Sequence, residues 1–345
     1  MALSFLAFAD FHYKQGMYAS TVADLQAILD RAVRENAAFI LHAGDFCNDY
    51  PASPEVTELL LQNPYGIAVY GCCGNHELET AGTSMSFVSS KLTNREVVWG
   101  SADGKSGDGN IGHYYFDHGD HRIVVTDTNY SLNPAGFWEH NRTGSYGPPR
   151  DNNLGDSLGP DQLGWLECVL TDAAKKQLRC IVLSHASFDN RNDASPDASA
   201  VRDIFSRANA LRVGTVTLAI NGHYHTDGCK VEEGVVYFDV NAARNTWWDP
   251  TPHGKYGEDT PTFPYTEYDE NGTPLGDATA RPLLSLSQGK RTLFTEAPLC
   301  AMVTVDGGTV TIRGTVSRWV GNLAPDTDRE NIRPEIRDWK VQAVK

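Results

Sequence analysis

The chain has 345 residues, of which 41% are hydrophobic and 21% charged, enough for a sizeable buried core and a single large domain. Its 44 acidic against 29 basic residues give a net charge of -15, which excludes a general affinity for nucleic-acid phosphates or anionic membrane surfaces. No stretch reaches the roughly 18 apolar residues of a membrane helix, and Asp10 cuts short the apolar start, so a first strand is expected there rather than a signal peptide.

Five apolar, β-branched runs, at 3–9, 39–43, 67–73, 179–183 and 213–221, predict buried parallel strands of one sheet. Helix signals alternate with them. Ser20 is the expected cap of a helical stripe through Val22, Leu25, Ile28, Leu29, Ala32 and Val33. Ser53-Pro54-Glu55 and Ser195-Pro196-Asp197 read as further helix starts, and Gly159-Pro160 opens a helix buried on Leu163, Leu166, Val169 and Leu170. Hairpins are predicted around Gly119-Asp120 and Asp306-Gly307-Gly308, which calls for a second sheet packed on the first. The expected fold is therefore a four-layer α/β/β/α sandwich of two mixed sheets flanked by helices, one domain over 1–320. Two long loop insertions, 131–159 and 245–282, interrupt it, and 321–345 reads as a solvated C-terminal extension. Seven cysteines without framework spacing suit reduced thiols and a cytoplasmic protein.

Five short blocks close or follow the apolar runs: Asp10-Phe11-His12, Gly44-Asp45, Gly74-Asn75-His76-Glu77, Ser184-His185 and Gly222-His223-Tyr224-His225. Strand carboxyl ends are where open α/β folds place their sites. Residues two apart on an extended chain share a face, so Asp10 with His12, and His223 with His225, are each expected to grip one ion. Carboxylate, imidazole and amide ligands without thiolate suit Mn, Fe or Zn. Two such ions about 3.5–4 Å apart can clamp both oxygens of an in-line displacement at phosphorus.

In these blocks and their order the chain resembles the calcineurin-like metallophosphoesterase superfamily, over roughly Phe5 to Asp227. The resemblance implies two divalent transition-metal ions, one on Asp10, His12, Asp45 and His225, the other on Asp45, Asn75, His185 and His223. Asp45 would bridge them. It further implies hydrolysis of a phosphate mono- or diester by a metal-bridging hydroxide, with His76 protonating the leaving oxygen. Asn48 stands where the family carries a second Asp, and Glu77 where Asp is commoner; both are expected to support the ligands and His76 from behind. Protein serine/threonine phosphatases share that Glu, but they have an Arg before Gly-Asn-His, where this chain has Cys73. The helix face Gln162-Leu163-x-Trp165-Leu166 is more similar to the bacterial branch containing class III cyclic-nucleotide phosphodiesterases.

Asn129, Trp247, Trp248 and His253 are candidate substrate contacts beside this site, Arg244 is a candidate for a phosphate oxygen or a surface acid, and His42 reads as a satisfied core histidine. The expected partner is a small phosphorylated substrate. A di-metal oxidoreductase is the competing enzyme class, but bundle-type di-iron proteins use Glu-x-x-His pairs on helices, and none accompanies these blocks. A protein phosphatase-like monoesterase and a non-catalytic binding module complete the alternatives. A decayed module would have lost ligands, and here the set is whole.

Overall fold

The computed structural model describes residues 2–13, 20–47, 53–78, 85–100, 112–132, 136, 138–140, 156–191, 194–248, 263–268, 274–280, 291–319 and 332–343. In chain order the first half comprises β1 (Leu3–Phe8), α1 (Val22–Arg34), β2 (Phe39–His42), α2 (Pro54–Leu61), β3 (Ala68–Gly71), a 3-10 turn (His76–Leu78), α3 (Met85–Leu92), β4 (Val98–Trp99), β5 (Tyr114–His118), β6 (His121–Val125), β7 (Tyr130–Leu132) and β8 (Trp138–His140). The second half comprises α4 (Gly159–Lys175), β9 (Arg179–Leu183), α5 (Ala198–Leu211), β10 (Val216–Asn221), β11 (Gly228–Glu232), β12 (Val235–Asp239), β13 (Asn245–Trp248), β14 (Phe263–Tyr268), β15 (Pro274–Ala280), β16 (Arg291–Phe294), β17 (Ala301–Asp306), β18 (Thr309–Arg313) and β19 (Trp339–Gln342).

Two mixed sheets face each other, one of six strands in the order β19-β18-β17-β1-β2-β3 and one of seven in the order β11-β12-β10-β9-β6-β5-β4. The strands that carry the candidate ligands are thus divided between two sheets, not gathered in one. β1, β2 and β3 run parallel in the first, and β6, β9, β10 and β12 run parallel in the second. Both sheets are covered on both faces, so their strands read as equally continuous apolar runs and the pattern carries no label for the sheet.

Alternation along each strand separates three cores. Phe5, Ala7 and Leu41 of the first sheet meet Ile181, Leu183, Leu218 and Ile220 of the second in the central core. Leu6, Phe8 and Ile40 point outward, onto Leu25, Ile28 and Leu29 of α1 and Val56 and Leu60 of α2. Val124, Cys180 and Val182 point the opposite way, onto Leu166 and Leu170 of α4 and Val201 and Phe205 of α5. The four layers are α/β/β/α, as the alternation of elements predicts.

Local starts differ in detail. The cap of α1 is Thr21, one residue after Ser20, because Asp24 then falls at the third helical position and closes a reciprocal capping box. α5 starts at Ala198, past Pro196, and the Asp197 carboxylate caps α4 instead by accepting the N–H groups of Leu158 and Gly159 at 2.8 and 3.0 Å.

The C-terminal segment is not a solvated extension. β19 pairs antiparallel with β18 and completes the six-stranded sheet, while Ile332, Ile336 and Ala343 are buried. Arg337 donates to the buried Asp227 at 2.5 Å, just beyond the His225 loop. Its charged, sparsely apolar sequence conceals an edge strand, which needs only one buried face. Ile336 is 1% exposed, so Ile336→Ala is expected to lower the unfolding free energy by about 2–4 kcal/mol in urea titrations. A change below about 0.5 kcal/mol would mean that this segment is detached in solution.

Candidate metal centre

All five blocks lie at the carboxyl ends of the parallel strands, where the two sheets meet. Asp10 and His12 follow β1, Asp45 follows β2 and Asn75 follows β3; His185 follows β9, and His223 and His225 follow β10. The edges are tied together by backbone: Asp10 N–H to Gly44 O at 3.0 Å, His12 N–H to Asp45 O at 2.8 Å, and Ala243 N–H to Ala9 O at 2.9 Å.

Asp10 and His12 do not converge by sharing the face of an extended strand, and His223 and His225 do not share an ion position but part to different groups. Asp10, His12, Asp45, His223 and His225 all adopt left-handed backbone, with φ between 49° and 73°. Asp and His tolerate that region better than most side chains, at a strain of order 1–3 kcal/mol each. A sequence of alternating ligands looks the same in either conformation, so only the turn itself reveals it. Two glycines permit the close approach: a Cβ at Gly74 would fall 2.1 Å from Asp45 Oδ1, and one at Gly222 would fall 2.6 Å from Asp10 Oδ2.

Ligand atoms gather within 4.8 Å of one another in three groups: Asp10, His12 and His225; Asp45, His185 and His223; and His12, Asp45 and His76. In the first, His12 Nε2 lies 3.1 Å from His225 Nε2, which is 3.4 Å from Asp10 Oδ1. In the second, His185 Nε2 lies 3.1 Å from His223 Nδ1, 3.1 Å from Asn75 Oδ1 and 3.2 Å from Asp45 Oδ2. Asn75 joins the second group through its side-chain oxygen. Asp45 also lies beside His12 and His76, its Oδ2 3.7 and 3.8 Å from their Nε2 atoms, and is the carboxylate common to the last two groups.

The remaining ring nitrogens fix the tautomers. His185 Nδ1 donates to the Ala43 carbonyl at 2.7 Å, and His225 Nδ1 donates to the Asn245 carbonyl at 2.8 Å. In its neutral form, each therefore turns a bare Nε2 lone pair into the site. Lone pairs and carboxylate oxygens this close repel unless a positive charge lies among them. Separations near 3.1 Å also match ligand atoms that share one ion at bond lengths of roughly 2.0–2.1 Å. The local field agrees: burial opposes a charge on His185, yet Asp45 and Asp10 push it up to about 10. Burial likewise opposes the Asp45 charge, while His185 and His76 hold its carboxyl well below the usual range. At His12, burial dominates and lowers the imidazole to about 3, the neutral form a metal requires. The residues present fit two cations.

Glu77 supports this arrangement from behind. Its carboxylate accepts the N–H groups of Gly74 at 2.6 Å, Phe46 at 2.5 Å and Asp45 at 3.0 Å, joining the β2 and β3 loops. Burial and the adjacent Asp45 charge push its carboxyl up to about 8. The His76 N–H donates to Asp45 Oδ1 at 2.8 Å, and its ring stands edge-on to His12 at 4.7 Å.

Other candidates divide. Asn129 is buried, and its amide donates to Asp127 and to the Cys73 carbonyl. Arg244 grips both oxygens of Asp24 in the α1 cap, at 2.8 and 2.7 Å, so it anchors the segment carrying the Asn245 carbonyl. Trp247 and Trp248 lie in β13, paired with Thr292 and Arg291 of β16. Asn48 and His253 lie outside the described residues. His42 is a core residue, but neither ring nitrogen has a hydrogen-bond partner among the described residues; it packs between Phe8 and Phe46 with its imidazole pushed down to about 3 by burial. Sequence reasoning missed Asp156, whose carboxylate lies 3.7 Å from His223 Nε2, and the buried pair of Asp127 and His140, at 2.7 Å. A lone acid in a Gly- and Pro-rich insertion carries no local signal.

Comparison with solved structures places the fold. A dimetal phosphatase from Danio rerio superposes with a TM-score of 0.57 at 17% identity, covering 99% of each chain. A putative 5'-nucleotidase from Staphylococcus aureus aligns at 14% identity and a TM-score of 0.42, over 81% of this chain and 54% of its own. No curated protein sequence matches significantly. The calcineurin-like phosphoesterase family model matches residues 3–227, the span that holds all five blocks and all three groups of candidate ligands, and the chain belongs to that family.

Proposed function

We propose that this protein is a dinuclear, divalent metal-dependent hydrolase of a small phosphate mono- or diester. The observation that carries the reading is Asp45, a buried carboxylate flanked by imidazoles from the loops of both sheets. Asp10, His12, Asp45 and His225 would hold one ion, and Asp45, Asn75, His185 and His223 the other. Oxygen and nitrogen ligands favour Mn, Fe or Zn. When bound, such ions acidify water and neutralise phosphoryl oxygens, which also gives an anionic substrate a local attraction inside a chain of net charge -15.

His76 has a different role. His12 and Asp45 belong to the other groups as well, so with both ions in place His76 is the member of its group without a set of its own. It is 6% exposed and its ring lies against His12 and Asp45, in reach of an ester bound over the ions. There it would protonate the leaving oxygen, a contribution of roughly 10²–10⁴ in rate. Glu77 and the Gly44 and Gly74 turns keep the loops of Asp45 and His76 in register.

Two variants separate the roles. His76→Ala is expected to retain two ions per chain by elemental analysis while kcat falls by about 10²–10⁴; loss of an ion would make His76 a ligand. Asp45→Ala is expected to lose metal at both positions, and retention of two ions would refute the shared carboxylate. The substrate class is tested on wild-type protein with phosphomonoesters, cyclic nucleotides, glycerophosphodiesters and nucleoside diphosphates, each with Mn, Zn and Fe. Hydrolysis of none of them, with two ions bound, would sink the phosphoesterase reading.

A further inference from the structure

A buried polar chain that the ester chemistry does not use runs beside the site, at the carboxyl end of β6. Asp127 is fully buried, and its two oxygens have separate partners. Oδ2 accepts from His140 Nε2 at 2.7 Å; Oδ1 accepts the backbone N–H of Asn129 at 3.0 Å and its side-chain Nδ2 at 2.8 Å. Asn129 Nδ2 donates onward to the Cys73 carbonyl at 3.2 Å. Cys73 immediately precedes Gly74, Asn75 and His76.

Both ends of this chain are held. Gln162 of α4 accepts the Asp127 N–H at 2.8 Å and donates to the Asp127 carbonyl at 2.7 Å, which fixes the carboxylate against the helix. His140 lies on β8, within the 131–159 insertion, with its side chain 4% exposed and its ring edge-on to Tyr130 at 4.9 Å. His113, also buried, lies near enough to feel the Asp127 charge. Burial works against that charge, but His140 and Asn129 hold the carboxyl below its ordinary range. A buried pair of carboxylate and imidazole is a weak source of stability, since apolar residues of the same volume would anchor β8 as well. What it adds is direction: charge-assisted hydrogen bonds fix the orientation of both partners.

We propose that His140 and Asp127 are positioning residues for the loop of Asn75 and His76, linked to it in series through Asn129 and the Cys73 carbonyl. Docking of the β8 segment then sets where His76 stands. The proposal rests on the phosphoesterase reading only for its kinetic readout, because the loop itself can be observed directly. The Gly74 and His76 amides, bonded to Glu77 and Asp45, report on it by hydrogen exchange.

In full-length, Mn-loaded protein, His140→Ala and Asn129→Ala are each expected to speed exchange at Gly74 and His76 about tenfold, with β9 amides unchanged. With a hydrolysed substrate in hand, kcat should fall about tenfold in each, with KM and two-ion stoichiometry kept. Links in series do not add, so the double variant should match the worse single one. His140→Gln, whose amide can still donate to Asp127, should recover to within about threefold of wild type. Unchanged exchange in both single variants, additive effects, or losses that follow metal content would overturn the proposal. Should His140→Ala not fold, Asn129→Ala decides, since it leaves the Asp127 and His140 pair intact. Should no ester be hydrolysed by wild type, the exchange rates still decide this proposal, and the phosphoesterase reading fails by itself.

Discussion

Two carboxylates, Asp10 and Asp45, are buried where the carboxyl edges of two sheets meet, and an unbalanced charge there would cost far more than the domain's margin of stability. Everything around them supplies positive charge or directed dipoles. His225 and the His223 N–H face Asp10, while His185, His12 and His76 surround Asp45. Because the partners of each acid come from the opposite sheet as well as its own, the two sheets can meet in only one register without orphaning a charge. The site and the sandwich are thus one construction problem.

Strain is concentrated at the same place. Five candidate ligands hold left-handed backbone, and Gly74 and Gly222 have no room for a side chain. Such turns persist only when their surroundings over-determine them. The three apolar cores fix the strand ends, Glu77 binds three N–H groups from two loops, and the carbonyls of Ala43 and Asn245 set the imidazole tautomers. These supports lie outside the ligand set, yet the positions of the ligand atoms depend on them.

The second sheet and the insertions contribute unequally. β9 and β10 bring three of the histidines, whereas β6 brings Asp127, whose carboxylate pairs with His140 of the β8 segment. Arg244 and Arg337 act at a distance in a similar way, each pairing with a buried acid, Asp24 or Asp227, and so pinning the chain after β12 and the C-terminal segment to the frame. Buried pairs of this kind lend little net stability, but they fix which segments may neighbour which.

The sequence by itself determined the central apolar strands, their alternation with helices and the identity of every ligand candidate, because burial periodicity, glycine turns and the chemistry of a side chain are local properties; β7, β8, β13, β14 and β15 instead lie in the two segments that read as loop insertions, whose Gly- and Pro-rich sequence carries no strand period. Asp10, His12, Asp45, Asn75, His185, His223 and His225 could be named from their blocks, and the structure brings all seven together. Only the tertiary structure decided that their strands belong to two sheets, since a strand buried on both faces looks the same in either. It also decided the left-handed turns at the ligands, the return of the C-terminal segment as β19, and the chain from His140 through Asp127 and Asn129 to Cys73. Each of these depends on what lies across from a residue rather than beside it. A pairing between distant parts of the chain leaves no periodic trace in the residues that make it.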